Sequence, residues 1–312
     1  MESAHNQSRM PRPKMRRAAK AVRSGFRRYP RAIIESIIRS QQSDQPLRIS
    51  QVLEEITDHD LAVLWLGHAT VVAQLEHVTI VVDPVLSDRI GMRIWKRTIG
   101  IPRLSPAPIA PESLLDTDLV LITHAHFDHL DKPTLRAMRS DTTTVIVPDR
   151  CAKLIPDGFE QVIELKAGES IAFNDLTITA IEPKHWGARS IFDRRRGVNS
   201  YLVESQDQCV LFTGDTAHTD AYQNLRPIDL AIFGIGAYDP WDHMHATPEQ
   251  AWAMFQELDA RYFLPIHHST FELSDEPIEE PMNRLYRVAG SNRSPIIEPV
   301  IGEIVIIKDT PD

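Results

Sequence analysis

The 312-residue chain is expected to fold as a layered α/β domain with sheets on the inside. Three observations predict this. From Leu61 onward, short apolar runs rich in β-branched residues recur between turn residues, which is the pattern of consecutive strands. Helix signals interrupt those runs in only a few places, so strands carry most of the core. With 42% hydrophobic and 25% charged residues the composition is that of an ordinary globular domain, and no run of 18 apolar residues is present to span a membrane as a helix.

Taken in order, Leu61–Leu66, Thr70–Leu75 and Val78–Asp83 are expected as three strands joined by the turns Gly67-His68 and Glu76-His77. Residues 84–111, with five prolines, are expected as a long loop of functional or mobile kind. Leu119–Thr123 has the makeup of a buried strand, and Lys132–Ser140 of a helix with Pro133 in its first turn. Further strands are expected at Thr144–Val147, Gln161–Leu165, Ser170–Phe173, Leu176–Glu182, Ser200–Glu204 and Cys209–Thr213. Asp229–Phe233 and Tyr262–Pro265 should flank a helix whose start is marked by Thr247 as N-cap, Pro248, and Gln250 three residues after the cap. The acidic, proline-rich Ser274–Pro281 is expected as a loop, and Ile297–Ile307 as one or two closing strands.

Charge divides the chain. Residues 1–40 carry +9 from Arg and Lys against Glu2 and Glu35, which leaves −18 on the rest of a chain whose net charge is −9. The expected organisation is a basic arm over residues 1–60, with a short amphipathic helix around Ile33, Ile34, Ile37 and Ile38, followed by the main domain over 61–312. A basic arm on an acidic body suits contact with an anionic surface. An Arg-rich, acid-poor start also suits an organelle transit segment, whereas no apolar stretch of signal-peptide length follows it. Cys151 and Cys209 are too few for a disulfide framework or a Cys-rich zinc module and are expected as buried small hydrophobes. The composition fits a cytoplasmic protein.

The chemistry is concentrated in Thr123-His124-Ala125-His126-Phe127-Asp128-His129, directly after the Leu119–Ile122 strand. His124 and His126, two residues apart in extended chain, project to one side, while Asp128 and His129 on the following turn address a second point. Neutral imidazoles and carboxylates are ligands for zinc and similar divalent ions. Other strand ends carry matching groups: His185 after Leu176–Glu182, Asp215 after Cys209–Thr213, and His267 after Tyr262–Pro265.

That series resembles the metallo-β-lactamase superfamily of dinuclear metal hydrolases, from about Ala62 to Glu303. Trp65-Leu66-Gly67-His68-Ala69-Thr70, Asp83-Pro84, His185-Trp186, Gly214-Asp215-Thr216, Gly236-Ala237-Tyr238-Asp239-Pro240 and His245-x-x-Pro248-Glu249 are similar to its N-acylphosphatidylethanolamine-hydrolysing phospholipase D branch. The resemblance implies an αββα sandwich with two facing mixed sheets, outer helices and the metals at one edge. It implies that His124, His126 and His185 hold one divalent ion and Asp128, His129 and His267 another, with Asp215 bridging. Zinc is the default ion; iron or manganese suits similar ligands. A hydroxide between the metals would attack the phosphorus of a phospholipid-like diester, with His245 polarising the phosphate or protonating the leaving group. An oxygen-reducing diiron branch of similar pattern places Glu where His126 stands, which argues against that chemistry.

His68 and His268 are expected to orient ligands from behind, and Trp186, Arg189 and Tyr238 to line the substrate pocket. Arg194-Arg195-Arg196 is expected as an exposed turn. The loop 89–104 mixes Ile90, Met92, Ile94, Trp95, Ile99 and Ile101 with Arg and Lys, which suits either a lid or a lipid surface, so peripheral membrane contact through this loop and the arm is an expectation. A lactone or carboxylic-ester hydrolase resembling ascorbate-6-phosphate lactonase is the first alternative. A non-catalytic metal-stabilised scaffold that binds lipid or a partner is the second. Nucleic acid is disfavoured by the acidic body and by the short interval of 52 positions between Asp215 and His267.

Overall fold

A computed structural model describes residues 55–307 apart from 96, 190–192, 194–195 and 299. The expected helix around Ile33–Ile38, most of the basic arm, and Arg194 and Arg195 therefore lie outside the described residues.

Two sheets face each other. The first runs β15-β1-β2-β3-β6-β7-β8. Its antiparallel part is β1 (Leu61–Trp65), β2 (Val71–Leu75) and β3 (Val78–Val82), with β15 (Ile304–Ile306) on the outer edge. β6 (Leu119–Leu121), β7 (Thr144–Pro148) and β8 (Gln161–Leu165) continue it in parallel. The second sheet is β9 (Ser170–Phe173), β10 (Leu176–Ile181), β11 (Ser200–Glu204) and β12 (Cys209–Phe212), all antiparallel, followed by β13 (Ile228–Gly234) and β14 (Ala260–Ile266) in parallel with β12.

Strand periodicity builds the layers. Val63, Trp65, Val71, Ile80 and Leu121 from the first sheet meet Ile178, Tyr201, Phe212, Ile232 and Leu264 from the second. The alternate residues Leu64, Val72, Val120 and Val145 turn outward against Leu130, Leu135 and Met138, around the short helix α1 (Lys132–Ala137). On the far side, Leu211, Ala231 and Phe233 pack under α2 (Pro248–Glu257) and α3 (Glu280–Ala289) through Trp252, Phe255 and Leu285. Strands buried on both faces lose polar alternation, which is why β1 and β2 are apolar at nearly every position. Ile56, ahead of β1, is also fully buried in this outer layer. The sandwich is αββα.

Element starts follow local chemistry. Thr247 and Gln250 form a reciprocal capping box at the head of α2, and the Asp131 carboxylate caps α1 at Thr134 N. Three expectations need correction. The 84–111 stretch is not all loop, because β4 (Arg89–Ile94) and β5 (Arg97–Pro102) pair in it as a hairpin. Ser274–Pro281 ends in a helix, since Glu280 and Pro281 open α3, which packs on the core through Pro281, Met282, Leu285, Tyr286 and Ala289. Among the described residues of Ile297–Ile307, only β15 is strand, and Ile296 makes a lone bridge to Phe263.

Candidate metal centre

One edge of the sandwich gathers seven imidazoles. His124–His129 follow β6, His185 follows β10, Asp215 follows β12 and His267 follows β14 directly, while His68 sits in the β1–β2 turn and His245 ahead of α2. The backbone is bent to bring them there. His68, Asp83 and His267 have φ of 53°, 44° and 64°, a conformation that costs a side-chain-bearing residue about 1–3 kcal/mol and collects at functional sites. Gly214 (φ 56°) lies so close to Thr123 that a Cβ there would stand 2.8 Å from the threonine Cβ. A larger residue at 214 would push Asp215 away from the cluster.

The donors fall into three overlapping groups: His124, His126, His185 and Asp215; His68, Asp128, His129 and His267; and Asp215, His245 and His267. In the first, His126 Nδ1 stands 2.8 Å from His124 Nε2 and 3.4 Å from His185 Nε2. In the second, His129 Nε2 lies 3.2 Å from His267 Nε2, and His68 Nε2 3.1 Å from Asp128 Oδ2. Asp215 joins the groups. Its Oδ2 is 3.2 Å from His129 Nε2 and 3.7 Å from His124, His185 and His245, and its Oδ1 is 3.1 Å from His267 Nε2.

The charge states suit cation binding. Although burial resists ionisation, His129, His267 and His245 hold the Asp215 carboxyl well below the usual carboxylate range. Asp128 is held down too, against its burial, by His129, His267 and His68. Burial, then neighbouring imidazoles, pushes His124 and His126 down, His126 to about 4, so both are neutral donors near pH 7. Asp215 Oδ2, which faces His129, His124, His185 and His245, is buried without a hydrogen bond. A buried carboxylate oxygen left without a partner among converging imidazoles is the arrangement a divalent cation would satisfy, with the ring nitrogens as its other ligands. The residues fit metal ions.

Comparison with known proteins agrees. A domain described as a beta-lactamase superfamily domain matches residues 78–268. The chain belongs to the metallo-β-lactamase superfamily. An N-acyl-phosphatidylethanolamine-hydrolyzing phospholipase D of Caenorhabditis elegans is 31% identical over 251 residues, 73% of this chain and 70% of that protein. A mitochondrial phospholipase D of the same description from Saccharomyces cerevisiae is 28% identical over 72% of this chain, which spans about half of that relative, 51%. A metallo hydrolase from Ignicoccus hospitalis shares the fold, with a TM-score of 0.60 at 21% identity over 78% of this chain and 97% of that one. This metallo-β-lactamase fold protein is a metal-dependent hydrolase.

Around the metal centre, the groups expected to line the substrate pocket separate. Trp186 is 44% exposed with its ring 5.2 Å from that of His126, at the mouth of the site. Arg189 instead ties down the metal-binding loop: Nη1 donates to the carbonyls of Ala125 (3.0 Å) and Leu130 (2.8 Å), and the guanidinium covers Phe127. Tyr238 is buried, donates to Glu280 Oε1 at 2.9 Å and lies under Arg284, so it anchors α3. His268 packs on Trp65 and touches Ser269 through Nδ1, outside the three donor groups. His68 stands inside the second group rather than behind it.

Sequence reasoning gave no role to two supports. Asp83 accepts hydrogen bonds from His129 Nδ1, Thr123 N and Thr123 Oγ1. The Met244 carbonyl, 2.9 Å from His185 Nδ1, orients that ring. The signal for Asp83 was an acid at the end of a buried strand; a backbone carbonyl leaves no signal at all.

Proposed function

We propose that this protein is a dinuclear phosphodiesterase of phospholipase D type, acting on an N-acylphosphatidylethanolamine-like phospholipid. The supporting observation is Asp215, an ionised carboxylate standing between two sets of neutral or cation-displaceable imidazoles, with His245 on a further side. The substrate class comes from the similarity to phospholipases named for that lipid.

His124, His126 and His185 would hold one ion, Asp128, His129 and His267 the other, and Asp215 both. Two divalent ions, zinc by ligand type, would supply Lewis acidity and lower the pKa of a water between them. In the reaction a water oxygen bonds to phosphorus, the phosphorus–oxygen bond to the N-acylethanolamine breaks, and a water-derived proton ends on the leaving oxygen. Burial keeps His245 neutral, so its ring can take up the proton released by the attacking water and pass it to that oxygen. Trp186 flanks the entrance as an apolar wall.

The test combines elemental analysis with turnover of bis(p-nitrophenyl) phosphate, N-acylated phosphatidylethanolamine and a lactone panel. Two ions per chain and phosphodiester turnover abolished in Asp215→Asn are expected. Lactone turnover alone would replace the reading with the carbonyl chemistry of ascorbate-6-phosphate lactonase type. Metal-loaded protein inactive on every substrate would leave the binding scaffold.

A further inference from the structure

The β4–β5 hairpin carries an apolar face that outruns the body it grows from. Its register pairs Ile90 with Ile101 and Met92 with Ile99, so these four side chains share one face. At the base, Ile90 is buried with Val85 and Phe271, and Ile101, Phe127 and Leu273 pack onto them. One step out, Met92 is 59% and Ile99 43% exposed, and Trp95 at the tip is 95% exposed. No described residue covers this outer half. Trp95 also has φ 56°, a conformation usual for Gly or Asn in a tight hairpin turn and strained for a bulky aromatic.

Charge narrows the occupant. Between residues 89 and 97 the sequence has Arg89, Arg93, Lys96 and Arg97 and no acid, on a chain with net charge −9. A tryptophan at the apex of an apolar face, with cations beside it, matches the layered chemistry of an anionic bilayer surface: acyl chains below, phosphates above. A second copy of this acidic body offers no such layering, and the arm of residues 1–40 is itself basic. Position adds to this. Phe127, which packs at the hairpin base, lies between His126 and Asp128, and Phe271 meets the His68 ring at 5.2 Å.

The geometry points to the β4–β5 hairpin as a wedge that inserts Trp95, Met92 and Ile99 into the interface of an anionic phospholipid bilayer, with its base on the rim of the metal centre. Docking so placed presents the site to lipid headgroups, and it holds whatever bond the site cleaves.

The test uses the full chain with phosphatidylcholine vesicles, with and without phosphatidylglycerol. Wild type should bind the anionic vesicles, and brominated lipids should quench its tryptophan emission, an effect absent in Trp95→Phe. The variant combining Trp95→Ser, Met92→Ser and Ile99→Ser, its fold checked by circular dichroism, should bind about tenfold more weakly, the loss of a few interfacial apolar contacts. Its turnover of soluble bis(p-nitrophenyl) phosphate should equal wild type, which separates failed docking from a failed phosphodiesterase reading. Undiminished binding by the triple variant, or no Trp95 quenching, would overturn the inference and assign docking to another segment. So would a concentration-dependent dimer that buries Trp95 and is lost in the variant.

Discussion

Asp83 Oδ2 lies 2.6 Å from His129 Nδ1, with both side chains buried, and this one contact decides which nitrogen His129 turns toward the metal centre. A carboxylate on Nδ1 fixes the tautomer and raises the basicity of Nε2, the atom facing Asp215 and His267.

Asp83→Asn should therefore weaken metal retention or turnover by about 10–100-fold while leaving the other donors in place. Equilibrium dialysis against a chelator, with melting temperature as the folding control, measures this. Metal content and kcat both equal to wild type would show that His129 needs no such partner.

Metal uptake should release protons. In the metal-free protein, burial opposes charge on His267 but Asp215 and Asp128 prevail and raise it to about 9; His129 is raised as well, by Asp215, Asp83 and Asp128 against its burial. Both rings are protonated at neutral pH without metal, and an ion must displace those protons. Apparent affinity should rise with pH and level off near 9. The stability that protonated His267 lends the metal-free fold is full below about 6.5 and is lost as pH rises through about 9. Calorimetric titration in buffers of different ionisation enthalpy reads the proton count, and buffer-independent heats would contradict the prediction.

Arg189→Ala should lower metal affinity, about tenfold, and leave KM for a soluble diester near wild type, because the side chain braces Ala125 and Leu130. A raised KM with full metal content would return Arg189 to the substrate.

His245→Gln should keep the metal content and cut kcat by about 10²–10⁴-fold, the range for loss of a general acid or base. A fall in bound metal instead would make His245 a ligand, through its place in the third donor group.

Cys151 and Cys209 should resist modification in the folded protein. Both are fully buried, and burial pushes each thiol up to about 12, so thiolate is scarce at pH 8. A chromogenic disulfide reagent should count no thiols before denaturant and two after.

The strands and the donor set were legible because each depends on a local pattern: period-two apolar runs for the strands, and His or Asp immediately past a run for the donors. What stayed hidden depends on contacts across the chain. β4 and β5 hide because they lie in a stretch with five prolines, and the match of Ile90 with Ile101 and Met92 with Ile99 is seen only once the two runs pair. α3 hides because its opening residues, Glu280 and Pro281, continue an acidic, proline-bearing run that has the makeup of a loop. The roles of Arg189 and Tyr238 rest on Ala125, Leu130 and Glu280, partners 42 to 64 positions away, which no local spacing encodes.

The donors also come from both sheets and from the link to α2, with His68 and His267 at the two ends of the series. No subset contiguous in sequence contains a full group, since even His124–His129 needs His185 and Asp215 to complete one and His68 and His267 to complete the other. Cation affinity is thus a property of the closed sandwich and not of any fragment of it. Binding energy is felt as resistance to global opening, and stripping the ions should lower the melting temperature of the whole domain in a single cooperative step. The metal centre is the bolt that records that both halves of the molecule have come together.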